Sequence, residues 1–332
     1  MIQFGKFLII GLCALASVSC AIPRPPQPET DQEPPTDIDK TQPPAPTVSV
    51  PPPSEPSQPT PPERPTVVLT PPPVAQLPAS LVSLRDKTIV PGGIAWVSLP
   101  SQSDTPPQIM YDERQVMVLR DEEQWVALIG IPLSAKLGKH TVIDQQIGKR
   151  YSFQVKNKKY KTQRLNIKNK RKVNPNREDL QRIKRERKLM KAALASPWRT
   201  TSTSPLPLMQ PIQGRFSSPF GLRRYFNGQR RNPHSGLDIA ARQGTPIAAA
   251  AAGKVVNIGD YFYTGNTIII DHGQSVVTLY AHLNTIAVET EQTVERGEII
   301  GTVGKTGRVT GPHLHWGVSM NNTMIDPMLV MK

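Results

Sequence analysis

Prolines are concentrated in one part of this chain and limit where a packed fold can form. Twenty-one of the 36 prolines lie within residues 22–80. Because proline fixes φ and has no N–H, runs such as 51–53 and 71–73 favour polyproline II over helix or sheet. Residues 22–78 are therefore predicted to be a disordered tether, with a reach on the order of 170 Å when fully extended. Either that reach carries a domain away from an anchor, or the tract is an ordinary linker.

The first residues predict export. Lys6 precedes an apolar run over 7–16, which has the length of a signal-peptide core and is too short to span a bilayer. Residues 1–21 are therefore predicted to be a signal peptide, and the chain to work in the periplasm or cell envelope. Cys20 follows small residues and is a candidate lipidation site, which leaves a membrane-anchored form and a freely exported form open. The other cysteine is Cys13, so the sequence after the signal region contains no disulfide and no thiolate metal site.

Basic residues are concentrated between residues 149 and 199. That segment has nineteen Lys and Arg against three Asp and Glu, a net charge of +16, whereas the whole chain carries +14. A segment of this kind attracts a polyanion such as nucleic acid, anionic lipid or an acidic wall polymer. Because the chain is predicted to be exported, we expect no nucleic-acid partner. Contact with lipid or wall polymer, or simple solvation, remain as alternatives.

Short apolar segments separated by turn residues predict a β-rich accessory domain over 79–157. Residues 116–119 and 125–129 are apolar, and residues 151–155 alternate between apolar and polar side chains. The Pro-Gly-Gly sequence at 91–93 is a turn signal of the kind that bounds such strands. We expect a small β-sandwich-like domain.

Residues 158–204 are predicted to be a basic linker that contains one helix, over 176–194. Asn176 can cap this helix, and the acidic residues of its first turn suit the helix dipole. A narrow apolar stripe runs along an otherwise basic surface, and the helix is interpreted as a solvated connector. The stripe consists of Leu180, Ile183, Leu189 and Ala193.

Recurring glycines and short β-rich runs predict an antiparallel β domain over 205–332. The sequence there has no long helical period. The predicted fold class is therefore mainly β, with two β domains and one linker helix. The expected strands of the last domain include 254–258, 267–271, 276–279, 299–303 and 315–319.

Four of the six histidines lie in distinctive contexts within the last domain. His313 and His315 are two residues apart, so in a strand both imidazoles project from one face. Asp238, four residues after His234, can join them from a loop. Two imidazoles and one carboxylate are a typical ligand set of catalytic zinc, with water at the fourth position. A histidine that is not a ligand, together with His282, can exchange a proton or stabilise an oxyanion, and the spacing does not decide which histidine binds the metal.

The remaining two histidines are predicted to have structural roles. His140 is expected at a surface or turn of the accessory domain. His272 precedes a glycine at a predicted turn, and three protein ligands suffice for a catalytic zinc site without it.

Three further motifs accompany the histidines, namely GRFSSPFG at 214–221, IDHG at 270–273 and TGRVTGP at 306–312. With the H-x-x-x-D and H-x-H elements, they make residues 210–328 resemble the lysostaphin-type, LytM-like zinc endopeptidases. The resemblance implies a duplicated-hybrid-motif-like fold. It also implies that zinc is bound by His234, Asp238 and His315, and that His282 and His313 are the catalytic residues. Residues 80–195 are similar to the β-rich N-terminal domain that some exported members carry.

For function, the resemblance implies zinc-dependent hydrolysis of peptide cross-links or stem peptides in peptidoglycan. The alternative is a wall-binding protein that activates a murein hydrolase without being an enzyme, and the complete ligand set favours the enzyme. A further hypothesis is that the linker or its helix covers the substrate groove.

Two predictions concern the walls of that groove. Asn227-Gly228 predicts a type I′ hairpin tip at one wall, and residues 261–263 are candidates for another. Carboxylates of the substrate are expected to attract four arginines, namely Arg223, Arg224, Arg230 and Arg231.

Overall fold

The computed structural model describes residues 74–101 and 103–332. The predicted signal peptide and most of the predicted tether lie outside these residues. The last part of the tether already packs: Leu77 donates its N–H to Arg120 O at 2.7 Å, and Ala75 is buried. Packed structure therefore extends to Val74 at least, five residues before the predicted boundary, because apolar side chains near the end of the tract contact the core.

The fold class is confirmed as mainly β: the described residues contain twenty strands and one α-helix, Arg177–Leu194 (α1). The strands of the accessory region are β1 (Ile94–Leu99), β2 (Ile109–Tyr111), β3 (Arg114–Gln115), β4 (Met117–Asp121), β5 (Gln124–Gly130), β6 (Gly138–Asp144) and β7 (Arg150–Val155). The linker contributes β8 (Thr162–Leu165). Short 3₁₀ turns occur at Ala79–Leu84, Lys170–Lys172 and Pro327–Leu329.

The C-terminal region supplies the other twelve strands of the described chain. They are β9 (Arg215–Ser218), β10 (Arg223–Phe226), β11 (Gln229–Arg230), β12 (Leu237–Ala240), β13 (Pro246–Ala248), β14 (Gly253–Tyr261), β15 (Gly265–Asp271), β16 (Val276–Ile286), β17 (Thr293–Val294), β18 (Ile299–Val303), β19 (His313–Met320) and β20 (Thr323–Ile325). All five strand segments predicted for this region fall within these elements. None of the described helices is long and apolar enough to cross a membrane.

The accessory region is sandwich-like, as predicted. Two small sheets, in the strand orders β1-β5-β4 and β3-β2-β6-β7, contribute to a shared apolar core. Trp125, Ile129, Val142 and Val155 are almost fully buried in this core. Alternation along β7 buries Phe153 and Val155 and leaves Ser152 and Gln154 exposed, which is the pattern of a sheet with one solvated face.

The predicted linker helix is present, with Asn176 as its N-cap. The Asn176 side chain accepts from Asp179 N, while Asp179 reaches back to Asn176 N, so the two residues form a reciprocal capping pair. The interpretation of this helix as a solvated connector is wrong. Met190, Ala193 and Leu194 pack against buried residues of β15 and β16.

The apolar stripe predicted for the helix mixes two surfaces. Ile183 is buried, whereas Leu180 and Leu189 are each 55% exposed. The docked surface therefore includes Ile183, Met190 and Leu194, which are seven and four residues apart and share one face of a helix.

The linker also joins the C-terminal domain through its backbone. Strand β8 pairs in parallel with β10, in the register Arg223 to Thr162 and Phe226 to Leu165. Asn227 extends this contact, because its side-chain amide bonds the backbone N–H and C=O of Ile167. The segment from β8 to α1 is therefore part of the structure around the groove.

The C-terminal domain is built on a large antiparallel sheet whose described strands follow the order β17-β14-β15-β16-β19-β12-β9. Its register positions the functional side chains: His315 lies opposite Asp238 of β12 on one side and opposite Ala281 of β16 on the other. Leu314 and Trp316, which alternate with the histidines of β19, are fully buried in the core. The core therefore fixes β19, and period-2 alternation sends His313 and His315 to the opposite face.

Candidate metal centre

Three side chains converge at the middle of the large sheet. His234 Nε2 is 2.9 Å from Asp238 Oδ1, His315 Nδ1 is 2.8 Å from the same oxygen, and the two nitrogens are 3.0 Å apart. Asp238 lies in strand β12 and not in the predicted loop, because it pairs with β19 directly opposite His315. All three residues are at most 8% exposed.

The spacing of these donors fits a divalent metal ion. A tetrahedral zinc site with bonds of about 2.0–2.2 Å has donors about 3.3 Å apart, close to the separations found here. Two ring nitrogens only 3.0 Å apart and one carboxylate form a small, buried, cation-seeking set. The residues present therefore fit the ion.

Hydrogen bonds orient the ligands and set their protonation. His234 Nδ1 donates to Pro219 O at 2.8 Å, so Nε2 is the atom that faces the cluster. Burial lowers the pKa of His234 to about 4, which leaves a neutral imidazole with a free lone pair at neutral pH. Burial alone would raise the pKa of Asp238, but the close imidazole groups of His234 and His315 hold it well below its ordinary value. The neutral imidazole and the carboxylate are the forms in which histidine and aspartate bind metal.

His282 and His313 lie beside this cluster. Their ring centroids are 4.9 Å apart, and the His282 ring is 5.9 Å from that of His315. His282 Nδ1 donates to Thr306 O at 2.9 Å and His313 Nδ1 donates to Gly311 O at 2.8 Å, which leaves Nε2 of each ring as an acceptor. Burial lowers the pKa of His282 well below its ordinary value. Both residues are therefore placed to exchange protons near the cluster.

The backbone of His282 is unusual. Its φ is +66°, in the left-handed region that non-glycine residues rarely adopt. The strand leaves its pairing with β19 after Ala281 and continues beside β18 from Leu283. The bend falls at His282, and local backbone strain of this kind is common at functional sites.

The two other histidines do not join the cluster. His272 Nδ1 donates to Ala252 O at 2.8 Å, and its Nε2 is 2.7 Å from the Thr278 hydroxyl. His140 lies in strand β6 rather than in a turn, where its ring stacks on Phe153 and Nδ1 is 2.7 Å from the Tyr111 hydroxyl. Both have local packing and hydrogen-bond partners.

Comparison with known proteins shows the family in which this arrangement of residues occurs. Residues 232–327 match the model of peptidase family M23, and residues 87–158 match the M23 N-terminal domain. A solved structure described as a putative peptidase M23 from Pseudomonas aeruginosa is 40% identical. It aligns with 75% of this chain and 97% of its own, with a TM-score of 0.63. The chain belongs to peptidase family M23.

Curated relatives match the same M23 domain. A DD-carboxypeptidase/endopeptidase, Mpg, of Neisseria meningitidis is 44% identical over 119 residues, which are 36% of this chain and 27% of that protein. The peptidoglycan DD-endopeptidase ShyA of Vibrio cholerae is 42% identical over 115 residues, which are 34% of this chain and 27% of that protein. The chain thus spans about a quarter of the length of these relatives. M23 peptidases are zinc-dependent, and zinc is the cofactor that fits the donor set of this chain.

Two residues that support the M23 centre were missed from the sequence. A Cβ atom at position 236 would lie 2.7 Å from His315 Cε1 and 2.6 Å from Trp316 O. Only glycine therefore allows the backbone at position 236 to lie this close to β19. Gln163 of the linker accepts from Arg224 Nε at 3.2 Å. The glycine could have been noted from the H-S-G-L-D spacing, whereas the role of Gln163 depends on a long-range strand pairing.

Arg224 has a different role from the one predicted. Its Nη2 donates to Asp238 Oδ2 at 3.1 Å, and both side chains are largely buried. The guanidinium therefore neutralises and orients a carboxylate of the cluster, which leaves it committed within the protein. Arg224 was expected to attract substrate carboxylates as one of a group of four arginines. Its contact with Asp238 joins β10 and β12, which belong to different sheets, so it depends on the tertiary fold.

Replacing Arg224 with glutamine is expected to weaken zinc binding by about 10- to 100-fold, the usual effect of removing a group that orients a metal ligand. The cause is a buried Asp238 oxygen without its cationic partner. Competition with a chromophoric chelator measures the affinity. Arg223→Gln is the matched control, because Arg223 is exposed and bonds Tyr160 O instead. Equal zinc affinity in wild type and Arg224→Gln would contradict this role.

A cavity of about 1100 Å³ adjoins the centre, and His282 and His315 both line it. The hairpin of β10 and β11 forms one wall, and its tip has φ of 49° at Asn227 and 79° at Gly228, which confirms the predicted type I′ turn. Tyr261 and Tyr263 form part of another wall.

Helix α1 contributes a further wall, which includes Ile183 and Met190. Glu186 of the helix accepts from Phe262 N at 2.8 Å, so α1 is tied to the loop between β14 and β15. The hypothesis that this segment covers the groove stays a prediction.

Proposed function

We propose that this M23 chain is a zinc-dependent endopeptidase that hydrolyses peptide cross-links or stem peptides of bacterial peptidoglycan. The observation that carries the proposal is the convergence of His234, Asp238 and His315 beside two further histidines with free Nε2 atoms. The relatives named as DD-endopeptidases support the choice of substrate.

In this proposal His234, Asp238 and His315 hold the zinc ion. When bound, zinc polarises the scissile carbonyl and lowers the pKa of water from 15.7 to about 7. Arg224 keeps Asp238 oriented, and Pro219 O keeps the His234 ring in the tautomer that presents Nε2. The protein's own contribution at this stage is a rigid, largely buried ligand set.

His282 and His313 act on the protons of the reaction. Each ring donates Nδ1–H to a backbone carbonyl, so in the resting state its Nε2 accepts a proton from the attacking water. Once protonated, the same nitrogen donates a hydrogen bond to the oxyanion or a proton to the leaving amine. A pair of imidazoles 4.9 Å apart divides these tasks.

Digestion of purified sacculi tests the function. We expect the full chain to release muropeptides, and mass spectrometry of the products identifies the bond that is cut. Release of cross-link-derived monomers from dimers supports the endopeptidase. Binding to sacculi without release would instead support the alternative, a non-enzymatic activator of another wall hydrolase.

Export to the cell envelope is part of the same proposal, since peptidoglycan lies outside the cytoplasmic membrane. Attachment to the membrane through a lipidated Cys20 remains a hypothesis within it. Incorporation of a labelled fatty acid that Cys20→Ala abolishes would support the anchored form. A mature protein without label would support the freely exported form.

A further inference from the structure

Arg308 is held in an unusual setting between β18 and β19. Its guanidinium lies 4.2 Å from the ring centroid of Tyr263 and 4.8 Å from that of Phe226, so two aromatic rings fix its position. Burial lowers the pKa of Arg308 to about 10, and the group is still cationic at neutral pH. The side chain is thus a pre-oriented positive charge.

No carboxylate of residues 74–101 or 103–332 lies within 4.0 Å of this guanidinium. Among the described residues, the guanidinium donates one hydrogen bond, a long one from Nη1 to Lys172 O at 3.5 Å. Arg224, the neighbouring largely buried arginine, is by contrast paired with Asp238 at 3.1 Å. A partly desolvated cation without an internal anion favours an anion from outside.

Arg308 also lies where substrate must bind. It lines the large cavity together with His282 and His315, and it lines a second cavity of about 230 Å³ together with Asp238 and His313. Arg308 therefore borders both spaces, and His282 and His315 line both of them as well.

The large cavity is strongly cationic. Among the described residues that line it, six are Lys or Arg and one is acidic. The acidic residue, Glu186, is already engaged by Phe262 N and by Arg182. The cavity therefore selects for a negatively charged ligand.

We infer that Arg308 binds a free carboxylate of the peptide substrate, next to the amide that is cut. This inference rests on the proposed function and adds a selectivity to it. A planar guanidinium fixed by two rings presents its N–H groups as a fork, which matches a carboxylate in a bidentate contact. Peptidoglycan stem peptides carry such carboxylates, and converting one to a carboxamide removes the charge with little change in shape.

The test compares two cross-linked peptide dimers that differ in one group, the carboxylate beside the scissile amide, which is either free or converted to the carboxamide. We expect kcat/KM of the wild-type chain to be about 10- to 100-fold higher for the free acid, the range for loss of a hydrogen bond to a charged group. Equal rates on the two dimers would overturn the inference and leave the endopeptidase proposal intact. Cleavage of neither dimer, nor of sacculi, would remove both.

Variants of Arg308 locate the selectivity. Arg308→Gln is expected to lower the rate on the free acid to that on the carboxamide, while the rate on the carboxamide stays within about twofold. Arg308→Lys keeps the charge without the fork and should retain part of the preference. Arg242→Gln removes an exposed arginine that does not line either cavity and should leave both rates unchanged.

Two results would overturn the assignment to Arg308. One is a preference for the free acid that survives in Arg308→Gln. The other is an equal loss on both dimers in a variant with normal zinc content, which would indicate a structural role.

Discussion

Replacing His234 or His315 with alanine is expected to abolish zinc binding and peptidoglycan hydrolysis together. Each substitution leaves two protein donors where three converge within hydrogen-bond distance of one another. The loss of activity should reach at least about a thousandfold, because the ion contributes several kcal/mol of transition-state stabilisation. Elemental analysis gives zinc per chain, and dye release from labelled sacculi gives the rate.

His140→Gln is a suitable control for this experiment. It also removes a histidine, but from strand β6 of the accessory region, where the ring contacts Tyr111 and Phe153. It should keep one zinc per chain and the wild-type rate. A His234→Ala or His315→Ala protein that retained a full equivalent of zinc would contradict the assigned ligand set.

Replacing His282 or His313 with alanine is expected to separate catalysis from metal binding. Neither ring belongs to the group of three donors, so zinc content should stay near one per chain. Turnover should fall by about 10²- to 10⁴-fold, the usual contribution of general acid–base catalysis. Measurement of kcat on a soluble cross-linked dimer, together with elemental analysis, checks both expectations.

The double variant sharpens this second prediction. If the two imidazoles share one proton-transfer task, the double substitution should cost less than the product of the two single losses. Zinc lost along with activity from either single variant would make that residue a ligand. Turnover that stayed near the wild-type value would remove its catalytic role.

The strands of the C-terminal domain could be predicted because their signals are local. Residues 299–303, for example, were expected as a strand and form β18 with the same limits. The glycines and alternating apolar residues that mark such strands lie within a few positions of one another. The capped start of α1 at Asn176 was predictable for the same reason.

Contacts that depend on distant strands could not be predicted. Helix α1 was wrongly interpreted as a solvated connector, because a short apolar stripe on a basic helix does not reveal whether another element covers it. The parallel pairing of β8 with β10 joins segments about 60 residues apart, and no local pattern specifies it.

The residues of the candidate site show the same difference between local signals and long-range contacts. The five residues His234, Asp238, His282, His313 and His315 were proposed from their sequence contexts and from the family resemblance, and the fold brings them together. Arg308 lies within the TGRVTGP motif, but the sequence indicated no role for it. Its position between Tyr263 and Phe226 depends on three separate loops and hairpins, so its significance emerges from the tertiary structure.

The most direct test of the zinc-centred account is muropeptide release from sacculi by the wild-type chain before and after metal removal. Chelation should reduce release to the level of His234→Ala, and one equivalent of zinc should restore it. Release that continued unchanged in protein shown to contain no metal would contradict the account.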